Sequence, residues 1–216
     1  MDCFKVQFGD IVIAVNPISK DSKFKSTRFG SDITLVSLDS PDHNGADGTS
    51  KADKASFLIN GPGEYEISGV FIKGYLSKSN YLGKESLNTI YTVNLEGINL
   101  CFLGAISDTH IVAETKEAID GIDILFAPIG GEGVLEASTA HKLAVQFEPK
   151  LIIPSHFTGP SDRAEHATGQ GIGGKNALKN FLKESGAENV KPVEKLTIKK
   201  KDLEGMEDEI VVLEAL

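Results

Sequence analysis

Apolar and polar positions along the chain fall into two textures. Up to about residue 105 the apolar residues come in short runs separated by glycine, proline, asparagine or aspartate. "FKVQFG" and "DIVIAVNP" predict a hairpin turning at Gly9-Asp10, with Pro17 ending its second arm. "SDITLVSL" predicts a third strand, followed by the polar segment "DSPDHNGADGTSKADKA". "SFLING", "GEYEISGVFIKGYL", "LNTIYTVNLEG" and "INLCFLG" add further strands, rich in β-branched and aromatic residues and broken at glycines.

Beyond residue 105 the texture changes. "IDILFAPIGG" is a continuous apolar run of the kind buried on both faces. In "EASTAHKLAVQFEP", Ala140, Leu143, Ala144 and Phe147 recur at helical spacing, and Pro149 bars continuation. "KLIIPSHF" is a second buried strand, and the β-α-β order predicts a crossover and a parallel pair. "GKNALKNFLKESG" predicts another helix, burying Ala177, Leu178, Phe181 and Leu182 and closing at Gly186. "EKLTIKK" and "DEIVVLEAL" read as closing strands. No linker or repeat divides the 216 residues, so the expectation is one domain spanning 1–216.

Composition narrows the setting. Apolar residues at 40% and charged residues at 25% suit a soluble globular chain with a sizeable core. No apolar run is long enough to span a membrane. "MDCFKV" carries neither the basic nor the apolar part of a signal peptide, so a cytoplasmic location is expected. Cys3 and Cys101 sit far apart in strand-like segments and read as free thiols. The formal net charge of -9 argues against nucleic acid as a partner, because phosphate neutralisation dominates that binding. The basic run "KLTIKKKD" is short and followed by "EGMEDE", and reads as a solvated turn.

Chemistry is concentrated in few residues. His141 lies within a predicted helix and His166 in the polar loop "DRAEHATG". His43 and His156 each lie just past the C-terminal end of an apolar strand, where open α/β sheets place binding groups. Asp42 beside His43, joined by His156, supplies the two imidazoles and one carboxylate of a zinc-type donor set. "GQGIGG" at 169–174 follows a polar stretch rather than a strand, so it reads as a loop and not as a dinucleotide fingerprint. Glu64 and Glu66 alternate with Tyr65 as an outward strand face. An Asp42–His43–Ser40 triad lacks a nucleophile elbow such as GxSxG. Asp39, Ser40, Asp108 and His110 can build at most a hydrogen-bonded polar network.

The order of several segments resembles the metallo-β-lactamase-fold hydrolases, in particular the compact UlaG-like branch of zinc-dependent hydrolases. "DCFKVQFGDIVIAVNP" is similar to the opening hairpin, with Asn16-Pro17 where the family has Asp-Pro; "SDITLVSLDSPDHN" is similar to the strand and metal loop. "GPGEYEISGVFIKG", "NTIYTVNLEGINLCFLG", "IDILFAPIGG" and "EPKLIIPSHF" follow in the family order, covering residues 2–157. The resemblance implies an α+β fold: a four-layer αββα sandwich, two mixed sheets flanked by helices, here with the opening strand missing. It also implies metals at the rim between the sheets.

Carrying the ligands over residue by residue removes most of that centre. The family loop is His-x-His-x-Asp-His after Thr or Ser. Ser37, Asp42 and His43 match, whereas Leu38 and Ser40 occupy the first two histidine positions. No histidine occurs from Asn44 to Thr109, Ala105 stands where the bridging aspartate belongs, and His156 in "PSHF" matches the last metal histidine. The resemblance therefore implies a lost dinuclear centre and a non-catalytic protein: a binder of an unidentified small molecule or protein, or a structural component. No cofactor is then expected. The alternative is a mononuclear hydrolase of an ester, lactone, phosphoester or amide, with Asp42, His43 and His156 holding one zinc or manganese ion.

Overall fold

The two-residue turn at Gly9-Asp10 sets the first sheet. Gly9 adopts a positive φ, and the turn pairs β1 (Phe4–Phe8) antiparallel with β2 (Ile11–Val15), Phe8 opposite Ile11 and Phe4 opposite Val15. β3 (Ile33–Leu35) and β4 (Phe57–Ile59) add in parallel, giving the order β1-β2-β3-β4 with β1 at one edge. The computed structural model describes residues 2–157, 174 and 176–214.

The second sheet is half meander, half crossover. β5 (Gly63–Ile67), β6 (Val70–Ser79), β7 (Ser86–Leu95) and β8 (Ile98–Phe102) pair antiparallel in succession. Two of their turns, Ser68-Gly69 and Glu96-Gly97, have positive φ at both residues, as type I′ hairpins require. β9 (Ile124–Pro128), β10 (Leu151–Ser155) and β11 (Glu209–Ile210) continue in parallel, in the order β11-β10-β9-β8-β7-β6-β5. Both sheets are therefore mixed.

Alternation along the strands assigns each face. Ile13, Val15, Ile33 and Leu35 meet Tyr91, Phe102, Phe126 and Ile153 between the sheets. Phe102 stacks on Phe126 with ring centroids 4.2 Å apart, and Phe4 meets Phe126 edge-on at 4.7 Å. The intervening residues Cys101, Leu103, Leu125 and Ile152 face the other way, onto α2 (Ala137–Gln146) and α3 (Ala177–Glu184). α2 carries the expected crossover between β9 and β10, and His141 on it packs edge-on against Phe181 of α3. α1 (Ala113–Ala118) is an element the pattern did not predict. It has only six residues, with Ile111 and Ile119 anchoring its flanks in the same core.

The outer face of the first sheet is covered differently. Thr34 points away from the core residues beside it and bonds at 2.7 Å to Thr49 of a 3-10 turn, Ala46–Thr49. Among the described residues every α-helix lies on the side of the second sheet, and loop with a 3-10 turn lies against Thr34 on the first. The segment from Asn16 to Ser56 has no helical apolar period that could supply an α-helix there.

One predicted strand does not form. Pro192, which has no N–H, precedes a single bridge from Val193 to Leu213, after which residues 194–199 run irregularly. Leu196 and Ile198 pack onto the core between the sheets instead of entering a ladder. Glu64 and Glu66 face outward as expected. Cys3 is half-buried and Cys101 buried, both as free thiols. His166 and residues 169–173 lie outside the described residues. Among the described residues no helix is long and apolar enough to cross a membrane.

Candidate metal centre

Three strand ends converge at one rim. β2 ends at Val15 immediately before Asn16, β3 leads into the loop carrying Asp42 and His43, and β10 ends at Ser155 immediately before His156. His156 has a positive φ of 54°, an unfavourable conformation for a non-glycine residue, so the backbone reverses there and the ring stays inside. Both imidazoles are completely buried, at 0% exposure. Their Nε2 atoms stand 3.2 Å apart, with the rings near-parallel.

The carboxylate that joins them is Asp2. Its Oδ2 lies 3.6 Å from His156 Nε2, and ligand atoms of Asp2, His43 and His156 all fall within 4.8 Å of one another. Asn16 holds Asp2 in place, donating from Nδ2 to Oδ2 at 2.6 Å while its own Oδ1 accepts from Ser37 N–H. Asn16 does this from the left-handed region, with φ of 47°, a conformation asparagine tolerates better than most residues.

Asp42 has a different task. Its Oδ1 accepts from the Ser22 hydroxyl and its Oδ2 from Tyr81 at 2.8 Å. The Tyr81 ring packs edge-on against His43, 4.9 Å between centroids, and against His156 at 5.7 Å. Of the sequence-predicted trio, the fold brings His43 and His156 together, and Asp42 supports the ring that covers them. The remaining candidates do not assemble a triad: His43 Nε2 faces His156, Ser40 Oγ accepts from Asp42 N–H, and Asp39 takes Asn44. Asp108 caps the backbone of His110 on the surface.

Electrostatics follow from burial. Burial and the neighbouring charge of His156 push His43 down to about 3, so its imidazole is neutral at ordinary pH. Burial alone would raise the Asp2 carboxyl. Contact with His156, helped by His43, outweighs it and holds Asp2 below the usual carboxylate range. Burial first, and the Asp42 charge second, push Tyr81 far up, so it remains a neutral donor. Among the described residues neither His43 Nδ1 nor His156 Nδ1 has a hydrogen-bond partner. Their polar contact is all on the Nε2 side.

Among the described residues Asp2, His43 and His156 form the cluster that could hold a metal ion. Tetrahedral zinc with bonds of about 2.0–2.1 Å places its donors roughly 3.3–3.4 Å apart. The two separations from His156, 3.2 and 3.6 Å, bracket that value, and the third pair, Asp2 with His43, lies within 4.8 Å. Leu38 (3% exposed) and Ala105 (0%) pack with Tyr81 and Val134 into a separate buried cluster, with Phe24 against it. Beside this plug a cavity of about 510 Å³ opens on Ser37, Asp39, Asn60, Leu58, Leu76 and Leu87, and none of the three clustered donors lines it.

Two facing mixed sheets, with helices on the second and buried donors at their common rim, define a metallo-β-lactamase fold. The chain belongs to the Beta-lactamase superfamily domain family, which its residues 1–156 match. A metallo-β-lactamase superfamily protein from Thermotoga maritima, assigned as a zinc-dependent hydrolase, superimposes with a TM-score of 0.72 at 22% identity, covering 98% of this chain and 94% of that one. A protein from Parabacteroides distasonis, assigned as a metal-dependent hydrolase, gives 0.60 at 18% identity over 98% and 89%. Igni18, a metallo hydrolase from the archaeon Ignicoccus hospitalis, gives 0.58 at 16% over 99% and 91%. At these identities the likeness concerns the fold.

Sequence reasoning missed Asp2, Asn16 and Tyr81. A signal for Asp2 was present in the hairpin. With a two-residue turn at Gly9-Asp10, each residue of the first arm faces one whose number completes a sum of 19, as Phe4 does with Val15. Continued two residues, that register sets Asp2 beside Asn16-Pro17, at the strand end where ligands collect.

Proposed function

We propose that this chain is a metallo-β-lactamase-fold protein that has lost the dinuclear centre and acts without hydrolysis, as a ligand- or partner-binding or structural protein. The observation that carries this reading is the apolar cluster of Leu38, Ala105, Tyr81 and Val134. It fills the place where donors for a first ion would have to converge, and neither leucine nor alanine offers a side-chain lone pair. Paired ions polarise a substrate oxygen and lower the pKa of bridging water, and this chain lacks the donors for that clamp. The neighbouring cavity has the size of a small-molecule site and a polar floor under exposed leucines, which supports binding there. The order of segments supports placement in the UlaG-like branch, and the charge of -9 supports small-molecule or protein partners over nucleic acid.

The test is metal content and turnover together. Untagged protein expressed with zinc and manganese supplied is expected to retain at most one ion per chain. It is expected to show no metal-dependent hydrolysis of bis-p-nitrophenyl phosphate or p-nitrophenyl acetate. Two tightly held ions, or turnover abolished by chelation, would overturn the proposal. A second reading, a mononuclear hydrolase of an ester, lactone, phosphoester or amide, is favoured by the separations among Asp2, His43 and His156. Zinc or manganese there would act as a Lewis acid. Burial weighs against it, because Asp2 is 4% exposed and both imidazoles are closed to a substrate. Turnover that survives chelation followed by one equivalent of metal, and is lost in His156→Ala, would establish it.

A further inference from the structure

We propose that Asp2, His43 and His156 hold a single zinc-type ion as a structural tie between the two sheets, with Asp2 rather than Asp42 as its carboxylate. Three independent observations meet here. His156 Nε2 lies 3.2 Å from His43 Nε2 and 3.6 Å from Asp2 Oδ2, near the donor spacing of a tetrahedral ion, and ligand atoms of all three fall within 4.8 Å of one another. Asp2 is pre-positioned by Asn16, while both oxygens of Asp42 are engaged by Ser22 and Tyr81 and would have to give up those bonds to ligate. The two imidazoles face each other through Nε2, and neither Nδ1 has a hydrogen-bond partner among the described residues, so both rings turn the same nitrogen toward the point where an ion would sit.

The donor types choose the metal. Two imidazoles to one carboxylate suit zinc better than manganese, which prefers oxygen. The role follows from placement. Asp2 enters β1 of the first sheet, His43 follows β3 of the same sheet, and His156 leaves β10 of the second. An ion among them ties the sheets at the rim, beneath Tyr81. The imidazoles lack outer hydrogen-bond partners, each of which is commonly worth roughly 10–100-fold in affinity, so the ion is expected to exchange with chelators.

The inference rests on the reading that only one ion's donors survive, and its failure can be told apart from the failure of that reading. Metal-free, untagged protein is titrated with Zn²⁺ calorimetrically and with Co²⁺ by visible absorption, neither of which requires activity. The expected result is one ion per chain with the d–d bands of a four-coordinate site. Asp2→Asn should weaken binding by more than about 100-fold, beyond the loss typical of an outer partner. Asp42→Asn should change it less than about threefold; if that variant does not fold, the Asp2→Asn result decides alone. No ion in the wild type, or unchanged affinity in Asp2→Asn, overturns the inference and leaves the lost dinuclear centre standing. Two ions per chain overturn both.

Discussion

Replacing Ala105 by aspartate would put a carboxylate into surroundings that do not suit one. Ala105 is fully buried, its N–H is bonded to Asn88, and its cluster neighbours are Leu38, Tyr81 and Val134, none of them cationic. The Tyr81 hydroxyl is already committed to Asp42. An unpaired carboxylate in such a place is protonated rather than ionised, its pKa rising by up to about 3–5 units. Taking an ordinary Asp value near 3.9, protonation at pH 7 costs about 3.1 pH units at roughly 1.4 kcal/mol each, or about 4 kcal/mol. Overpacking adds roughly 1–3 kcal/mol. Ala105→Asp should therefore destabilise the fold by about 5–7 kcal/mol at pH 7. The folded-state pKa is raised, so the charge-related part is present above the unfolded value and vanishes as pH falls to about 4. Urea unfolding of both proteins at pH 7, 5.5 and 4 reads the difference directly, with the wild type removing every other titration. A loss under about 1 kcal/mol, or one independent of pH, would show that position 105 is solvated or already served by a cation. The apolar-plug argument would then fail.

Three further outcomes follow from other parts of the molecule. His43 is pushed down to about 3 from its ordinary value of 6.5, so its contribution to stability is complete above pH 6.5 and is lost as pH falls toward 3; metal-free wild type should lose about 3 kcal/mol more than His43→Gln between pH 7 and 4.5 in urea unfolding. Asp123, buried at the start of β9, accepts from Asn99 N–H, Lys150 and Lys200 at 2.8, 2.8 and 2.6 Å. Both lysines can rehydrate, so Asp123→Ala should cost about 2–3 kcal/mol of unfolding free energy rather than the full penalty of a closed ion pair. Gly133 and Gly97 both have positive φ, but a Cβ at Gly133 would lie 2.3 Å from Asn80 O whereas one at Gly97 meets nothing within 4 Å. Thermal melts should therefore show a loss of about 1 kcal/mol for Gly97→Ala and of at least about 3 kcal/mol for Gly133→Ala.

Strands separated by turn residues were legible because each turn carried its own conformational requirement. Gly9 marks the predicted hairpin, and two of the glycines expected to break strands, Gly69 and Gly97, sit in hairpin turns. The crossover was legible because β9 and β10 are buried along their whole length and the helix between them keeps a 3.6-residue period. What failed was local pattern without a local partner. The alternation in "EKLTIKK" predicts a strand, yet a strand requires a free edge, and β11 offers only two residues beside β10. The donor residues divide in the same way. His43 and His156 were legible from their place after apolar strands, but the choice between Asp42 and Asp2 depends on which carboxylate is free to turn inward. Under the proposed assignment Tyr81 and Ser22, distant in sequence, tip it toward Asp2 by occupying Asp42.

That division also explains why a site can be half apolar and half polar without strain. A buried donor is stable only in company: a single histidine at position 38, facing Ala105 and Val134, would leave an imidazole without ion or hydrogen bond, at a cost of about 1–3 kcal/mol. Leu38 and Ala105 suit one another, and the cluster they form contributes apolar burial. The same logic runs in reverse at the second position. Asp2, Asn16, His43 and His156 are joined in a chain of contacts of 2.6 to 3.6 Å, so removing one leaves a buried neighbour short of a partner. Apolar and polar halves are each self-consistent, and Tyr81 divides them, its ring against Leu38 and the imidazoles, its hydroxyl on Asp42.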